Sequence, residues 1–187
     1  MVKRQAWRQA QPTWDARKLI FIDETGVNTK MARRYGRSPL GQRCHSAEPH
    51  GHWHSSTFLA ALRYESITAP FLFDGALDAE AFTTYLQHVL CPELKEGDVV
   101  ILDNLSTHKI AAVKRLITAQ GAEVRYLPAY SPDLNPIEQA FSKLKAHLRA
   151  AAARTLHDLH FALAQGLKTF QPDHCRNFFH HACYTTN

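Results

Sequence analysis

Two aspartates follow apolar segments at positions from which their carboxylates could act together. Asp23 follows the apolar run of residues 19–22, and Asp103 follows the run of residues 99–102. Short runs rich in branched residues are typical of buried strands. An ionised acid in such a place is costly without a partner, and two acids side by side repel each other unless a cation lies between them. Because oxygen ligands favour Mg²⁺ or Mn²⁺ over Zn²⁺, the pattern indicates a divalent metal site.

Glu138 is the third candidate acid. It follows Asn135 and Pro136, one turn into a segment predicted to be helical as far as about Ala153. Three carboxylates can hold two metal ions, which activate a nucleophile and stabilise the leaving oxygen at phosphorus. We therefore take Asp23, Asp103 and Glu138 as the candidate catalytic and metal-binding residues.

Each of these acids also has a simpler interpretation. Asn135 as N-cap, Pro136 at the first helical position and Glu138 at the third would form a capping box, which needs no catalytic role for Glu138. Asp23 could begin a turn over residues 23–26, and Asp103 could do the same. Glu24 is a rival metal ligand, although on a strand it would face the opposite side from Asp23.

The basic residues are concentrated in three segments of a chain whose net charge is +5. Residues 1–18, 30–45 and 143–154 are rich in Lys and Arg and almost free of acids. Such segregation favours binding to a polyanion, while a set of solvated faces is the alternative. The candidate DNA-binding residues are Lys109, Lys143, Lys145, Arg149, Arg33 and Arg34.

The order of predicted elements indicates an α/β fold with a mixed sheet flanked by helices. Strands are predicted at about 19–23, 53–64, 66–73, 99–102 and 124–127, and residues 25–52 are expected to be largely irregular. Helices are predicted at about 78–92, 107–120 and 136–153, with a last helix from Thr155. Residues 1–18 are interpreted as a basic arm or linker, and residues 19–187 as one domain. The hydrophobic content of 45% excludes wholesale disorder, and no apolar run is long enough to cross a membrane.

Three segments together resemble the signature of DDE transposases. They are residues 21–26 around Asp23, residues 100–109 around Asp103 and residues 130–138 around Glu138. Thirty-four residues separate Asp103 from Glu138, as in the bacterial insertion-sequence branch of the Tc/mariner superfamily, the insertion sequence 630 type. The resemblance covers about residues 19–185. It implies an RNase H-like catalytic domain with the three acids on the first strand, the fourth strand and a following helix.

The resemblance also implies a reaction. A Mg²⁺- or Mn²⁺-dependent enzyme with two ions would cleave DNA at transposon ends, and the freed 3′-hydroxyl would then attack target DNA, usually at TA. The same resemblance places Asn104, His108 and Asn135 beside the acids, where they would orient the carboxylates. His108 could instead contact DNA or a metal-bound water, or it could stand at a helix start with no chemical role.

Partners follow from the same resemblance. Complete members of the family carry an N-terminal helix-turn-helix region, so we expect this chain to be the catalytic half, with that region separate or joined by frameshifting. A homodimer on DNA and a cytoplasmic, nucleoid-associated location are expected. Two rival functions remain: a stand-alone RNase H-like nuclease, and a non-catalytic DNA-binding remnant.

Overall fold

A five-stranded mixed sheet forms the centre of the computed structural model, which describes residues 2–33, 35–45, 51–105 and 107–185. The strands are β1 (Leu19–Asn28), β2 (Ser55–Leu62), β3 (Ile67–Asp74), β4 (Val99–Leu102) and β5 (Glu123–Tyr126). Their spatial order is β3-β2-β1-β4-β5. The first three strands pair antiparallel, whereas β1–β4 and β4–β5 are parallel. The two strands that lead to Asp23 and Asp103 are therefore neighbours, as the metal-site interpretation requires.

Helices cover both faces of this sheet. They are α1 (Val2–Ala10), α2 (Ala79–Tyr85), α3 (Ala111–Thr118), α4 (Ile137–Ala151), α5 (Leu156–Lys168) and α6 (Pro172–His181). Successive β1 side chains point to opposite faces, because strand side chains alternate. Phe21 packs into the core with α4, α5 and α6, whereas Ile20 and Ile22 pack into the core with α2 and α3. The predicted α/β mixed sheet flanked by helices is confirmed.

The prediction for residues 78–92 is correct at its start and wrong at its end. Asp78 caps α2, since its Oδ1 accepts a hydrogen bond from the Ala81 N–H at 2.8 Å. Regular α-helix stops at Tyr85, and a π turn (Leu86–Leu90) and a 3₁₀ turn (Cys91–Glu93) follow. Continuous apolar periodicity cannot distinguish these related helical forms. The prediction also missed α6 and ended β1 five residues too early.

The first eighteen residues differ from the arm or linker that their composition indicates. They contain α1 and two 3₁₀ turns, and they pack against the C-terminal end of the chain. Trp7 Nε1 donates to the Tyr184 hydroxyl at 2.9 Å, and the buried Gln11 amide donates to the Ala182 carbonyl at 2.9 Å. Apolar burial of Trp7 and Trp14 against this region explains why a polar segment becomes ordered. No helix within the described residues is long and apolar enough to span a membrane.

Candidate active site

The three predicted acids line one cavity of about 450 Å³, which lies at the carboxyl end of β4 and beside the middle of β1. Phe21 pairs with Ile101 in the parallel register, so Asp23 and Asp103 lie two residues beyond equivalent positions on adjacent strands. Glu138 is the second residue of α4 and faces the same cavity. The loop of residues 127–135 forms the opposite wall. The fold thus gathers residues that are far apart in the sequence around a single space.

Asp23 is the most deeply buried of the three carboxyls. Its Oδ1 accepts the Glu24 N–H at 2.8 Å, and its Oδ2 accepts the Asn135 side-chain amide at 2.8 Å. Burial, with the added negative charge of Glu24, Glu138 and Asp103, raises the pKa of Asp23 to about 7. Without a cation, this carboxyl is therefore only partly ionised at neutral pH.

Asn135 belongs to the site and does not cap the helix. The N-cap of α4 is Pro136, and no side chain caps this helix end, so the capping-box interpretation of Glu138 is wrong. The Asn135 amide nitrogen instead reaches Asp23, while its buried Oδ1 has no hydrogen-bond partner among the described residues. An unpaired buried oxygen beside three acids is costly unless a ligand, an ion or water meets it there.

His108 lies between Asp103 and Glu24. Its Nδ1 is 2.6 Å from Asp103 Oδ1, and its Nε2 is 3.5 Å from Glu24 Oε2. The imidazole is fully buried and packs against the Phe82 ring at 4.3 Å between centroids. Burial therefore excludes the direct DNA contact that the sequence left open. Glu24 lies on the opposite side of β1 from Asp23. It contacts His108 and does not line the cavity.

Asp103 and Glu24 respond to their surroundings in opposite ways. Burial would raise the pKa of Asp103, but hydrogen bonds from His108 and the Leu105 N–H, with the Lys109 charge nearby, hold it below its ordinary value. Burial outweighs the attraction of His108 and raises the pKa of Glu24. Both hydrogen bonds reach Asp103 at Oδ1, so they leave its Oδ2 free for a ligand.

The predicted DNA-binding residues fall into different environments. Lys145 and Arg149 line a second cavity of about 660 Å³ beside Lys30 and the half-exposed Trp53. Burial and the Arg149 charge lower the pKa of Lys145, while the Glu138 and Asp23 carboxylates act in the opposite direction. This second cavity, called the cationic groove below, therefore lies along α4 beside the acids and presents a cationic surface.

Lys143 does not join this surface. Its Nζ donates to the Thr169 carbonyl at 3.1 Å and lies 2.7 Å from His174 Nδ1. Residues two apart on a helix point in nearly opposite directions, which explains why Lys143 and Lys145 diverge. Lys109 and Arg33 are exposed, Asn104 lines the first cavity, and Arg34 lies outside the described residues.

The chemistry of the cavity fits a hard divalent cation. Its three carboxylates, with the unpaired Asn135 oxygen, are ligands that Mg²⁺ and Mn²⁺ prefer. Burial, and after it the neighbouring carboxylates, raise the pKa of Asp23, and a bound cation would offset both effects. Within the described ranges, no three His, Cys, Asp or Glu side chains already form a complete metal cluster. The residues therefore match the ion in kind and location.

We expect His108 to control the metal affinity of Asp103 through its Nδ1–H. In His108→Asn the side-chain amide lies near the position of Nδ1 and preserves the hydrogen bond, whereas His108→Leu removes it. Hydrogen-bond partners of metal ligands are worth about 10–100-fold in affinity, so the Leu variant should bind Mn²⁺ at least tenfold more weakly than the Asn variant. Calorimetry with Mn²⁺, beside thermal melts of both variants, measures this. Equal affinities in two folded variants would remove His108 from the site.

The family comparison agrees with this geometry. The profile of the DDE superfamily endonuclease family matches residues 18–160, and the chain belongs to this family. No match to a curated protein sequence was found.

Solved structures of Mos1 transposase have the same fold. The Mos1 mariner paired-end complex with Mn matches with a TM-score of 0.73 and 17% identity, covering 97% of this chain and 57% of that chain. The pre-cleavage Mos1 transpososome gives 0.71 and 14%, covering 97% and 57%. The catalytic domain of Mos1 mariner transposase alone gives 0.64 and 14%, covering 89% and 78%. The likeness confirms the predicted RNase H-like fold. This chain spans little more than half the length of the Mos1 chains in the complexes.

Proposed function

We propose that this chain is the catalytic domain of a transposase that cleaves DNA at transposon ends and joins the freed 3′-hydroxyl to target DNA. The observation that carries the proposal is the convergence of the Asp23, Asp103 and Glu138 carboxyls on one cavity. Membership of the DDE endonuclease family supports it. The spacing of the acids favours the insertion sequence 630 branch.

Six residues in or beside the cavity have definite tasks in this proposal. Asp23, Asp103 and Glu138 hold two Mg²⁺ or Mn²⁺ ions, which when bound supply charge neutralisation and nucleophile activation at phosphorus. Asn135 keeps the Asp23 carboxylate oriented through its 2.8 Å hydrogen bond. His108 holds Asp103 Oδ1 and so leaves Oδ2 available to a ligand. Lys145 places a positive charge next to Glu138, where it would attract a DNA phosphate.

The wider partners belong to the same proposal. The named neighbours include a Mos1 transpososome and a Mos1 transposase paired-end complex with the left transposon end, and they support DNA as the substrate of this chain. The proposal also includes a homodimer on DNA, a helix-turn-helix region supplied outside these residues and a nucleoid-associated location.

A strand-transfer assay tests the proposed function. The protein is incubated with Mn²⁺, a labelled duplex with recessed 3′-hydroxyl ends and a supercoiled plasmid. Joining of the label to the plasmid supports a transposase. Nicking without joining would instead support a stand-alone nuclease. Binding without either reaction, unchanged in Asp103→Asn, would support a non-catalytic remnant.

A matched pair of lysines tests the cationic groove. Lys145→Ala should weaken DNA binding several-fold and reduce the slope of log affinity against log salt by about 1, because one phosphate contact is lost. Lys143→Ala should leave DNA binding unchanged and lower the melting temperature, since Lys143 connects α4 with α6. Binding isotherms at several salt concentrations measure both effects. Equal loss of DNA binding in the two variants would contradict the assignment of the groove.

A further inference from the structure

Tyr130 has a backbone conformation that the fold does not explain. Its φ is +54°, in the left-handed region that residues other than Gly, Asn and Asp seldom adopt. The local structure explains the positive φ of the other such non-glycine residues among the described ones. Ala152 is the C-cap of α4, and Cys183 follows the C-cap of α6. Ala69 lies at the irregularity in the pairing of β2 with β3. Tyr130 lies in the middle of the active-site loop, where Gly or Asn would fit more easily.

The side chain of Tyr130 contributes nothing to packing. Tyr130 is 98% exposed, which is more than any other tyrosine among the described residues. Among those residues, its hydroxyl makes no hydrogen bond and its ring contacts no other ring. Exposure of a single aromatic ring is common, but its combination with a strained backbone at an active-site loop is typical of a ligand contact.

The loop around Tyr130 is anchored from outside the cavity. The Tyr130 carbonyl accepts a hydrogen bond from Arg4 Nη1 at 3.0 Å. Arg4 also binds both Asp133 carboxylate oxygens, at 2.9 and 2.8 Å, and Arg8 binds Asp133 Oδ2 at 2.9 Å. Helix α1 therefore holds the backbone of the loop while the Tyr130 ring remains free. Strained conformations persist where neighbouring contacts over-determine them, and they cluster at ligand sites.

We propose that Tyr130 is a stacking platform for the nucleobase next to the phosphate at which Asp23, Asp103 and Glu138 act. Tyr130 lines the same cavity as the three acids, so a base that flanks the reacting phosphate lies within its reach. Aromatic side chains stack on any base through its π face, so the contact positions the strand without reading its sequence. This inference rests on the proposed function, because it takes DNA as the substrate.

The test uses a duplex with 2-aminopurine as its 3′-terminal base, and a second duplex with the probe in its interior. The wild type with Mn²⁺ should quench the terminal probe and leave the interior probe unchanged. Tyr130→Phe should quench equally, whereas Tyr130→Ala should abolish quenching and weaken end binding by about 5–150-fold, the range for one stacked base. Tyr130→Gly should show the same loss without a lower melting temperature, because Gly relieves the backbone conformation.

Two results would overturn the inference. One is equal quenching by wild type and Tyr130→Ala. The other is a large loss of melting temperature in Tyr130→Gly, which would make the side chain structural. These outcomes are separable from failure of the proposed function. If quenching depends on Tyr130 in a protein that cleaves no DNA, the stacking site stands and the proposed reaction fails. If cleavage persists unchanged in Tyr130→Ala, the reaction stands and the stacking site fails.

Discussion

Asp103→Asn is expected to reduce metal-dependent DNA cleavage by about three orders of magnitude while leaving the fold intact. A bound metal supplies several kcal/mol of transition-state stabilisation, and each 1.36 kcal/mol is a factor of ten in rate. The substitution should leave the hydrogen bonds of this side chain in place, because both of them, from the Leu105 N–H and from His108, are accepted by Oδ1. The Asn carbonyl oxygen can keep both, so that only the anionic Oδ2 is lost.

Plasmid nicking and strand transfer in Mn²⁺ measure this effect, with melting curves as the test of folding. Asp74→Asn is the matched control, because Asp74 is an exposed aspartate at the end of β3, outside the cavity. It should retain full activity. Undiminished cleavage by Asp103→Asn would show that this carboxylate holds no essential metal, and the same experiment on Glu138→Gln tests the third acid.

Asp23→Asn is expected to abolish cleavage and to stabilise the metal-free protein at neutral pH. The pKa of Asp23 is about 7 in the fold against an ordinary 3.8, so the folded state holds a proton that the unfolded chain releases between these values. The free energy of unfolding therefore falls as pH rises from about 4 to 7, and the penalty is complete above pH 7. At 1.36 kcal/mol per pKa unit, the penalty in the wild type reaches up to about 4 kcal/mol.

The local structure accommodates the new amide. The Asn oxygen can keep the Glu24 N–H, and its nitrogen can donate to the unpaired Oδ1 of Asn135 once the Asn135 amide turns over. Urea unfolding in EDTA at pH 5 and pH 8 measures the effect. The advantage of Asp23→Asn over wild type should grow by about 2–3 kcal/mol between these pH values.

Asp103→Asn is the control of opposite sign. The pKa of Asp103 is lowered, so its carboxylate stabilises the fold above its ordinary pKa, and its loss should bring no gain at pH 8. Adding Mn²⁺ should stabilise the wild type and neither variant. A constant difference between wild type and Asp23→Asn at both pH values would contradict the crowded, partly protonated cluster.

The positions of the acids were predictable because strong local signals mark them. Two apolar runs that each end in Asp identify strands, and the carboxyl edge of parallel neighbours is where open α/β sheets form sites. Glu138 comes two residues after a Pro that marks a helix start, which places it in the first turn of α4. The sequence nevertheless supported a capping box equally well, since Asn135 bonds a residue 112 positions away and no local pattern reports such a contact.

Other features depend on packing that the sequence does not display. Basic residues at 1–18 indicate a solvated arm, yet two tryptophans bury against the C-terminal core and order α1. His108 comes five residues after Asp103, and from the sequence it could face solvent. In the structure the Phe82 ring of α2 packs against it. Lys143 and Lys145 are the same residue type on one helix and have different surroundings. The side of α4 that carries Lys143 packs near α6, whereas the side that carries Lys145 lines the cationic groove. The unusual backbone of Tyr130 has no sequence signal, since Tyr is not a residue that predicts positive φ.

Calorimetric titration of Mn²⁺ into the protein bound to a DNA duplex tests the central claim most directly, because it asks whether the three carboxylates form one metal site. The account predicts saturable binding by the wild type with DNA present, and loss of that binding in Asp103→Asn while Asp74→Asn behaves as wild type. No Mn²⁺ binding to the wild type on DNA, or equal binding by Asp103→Asn, would contradict the metal-dependent mechanism.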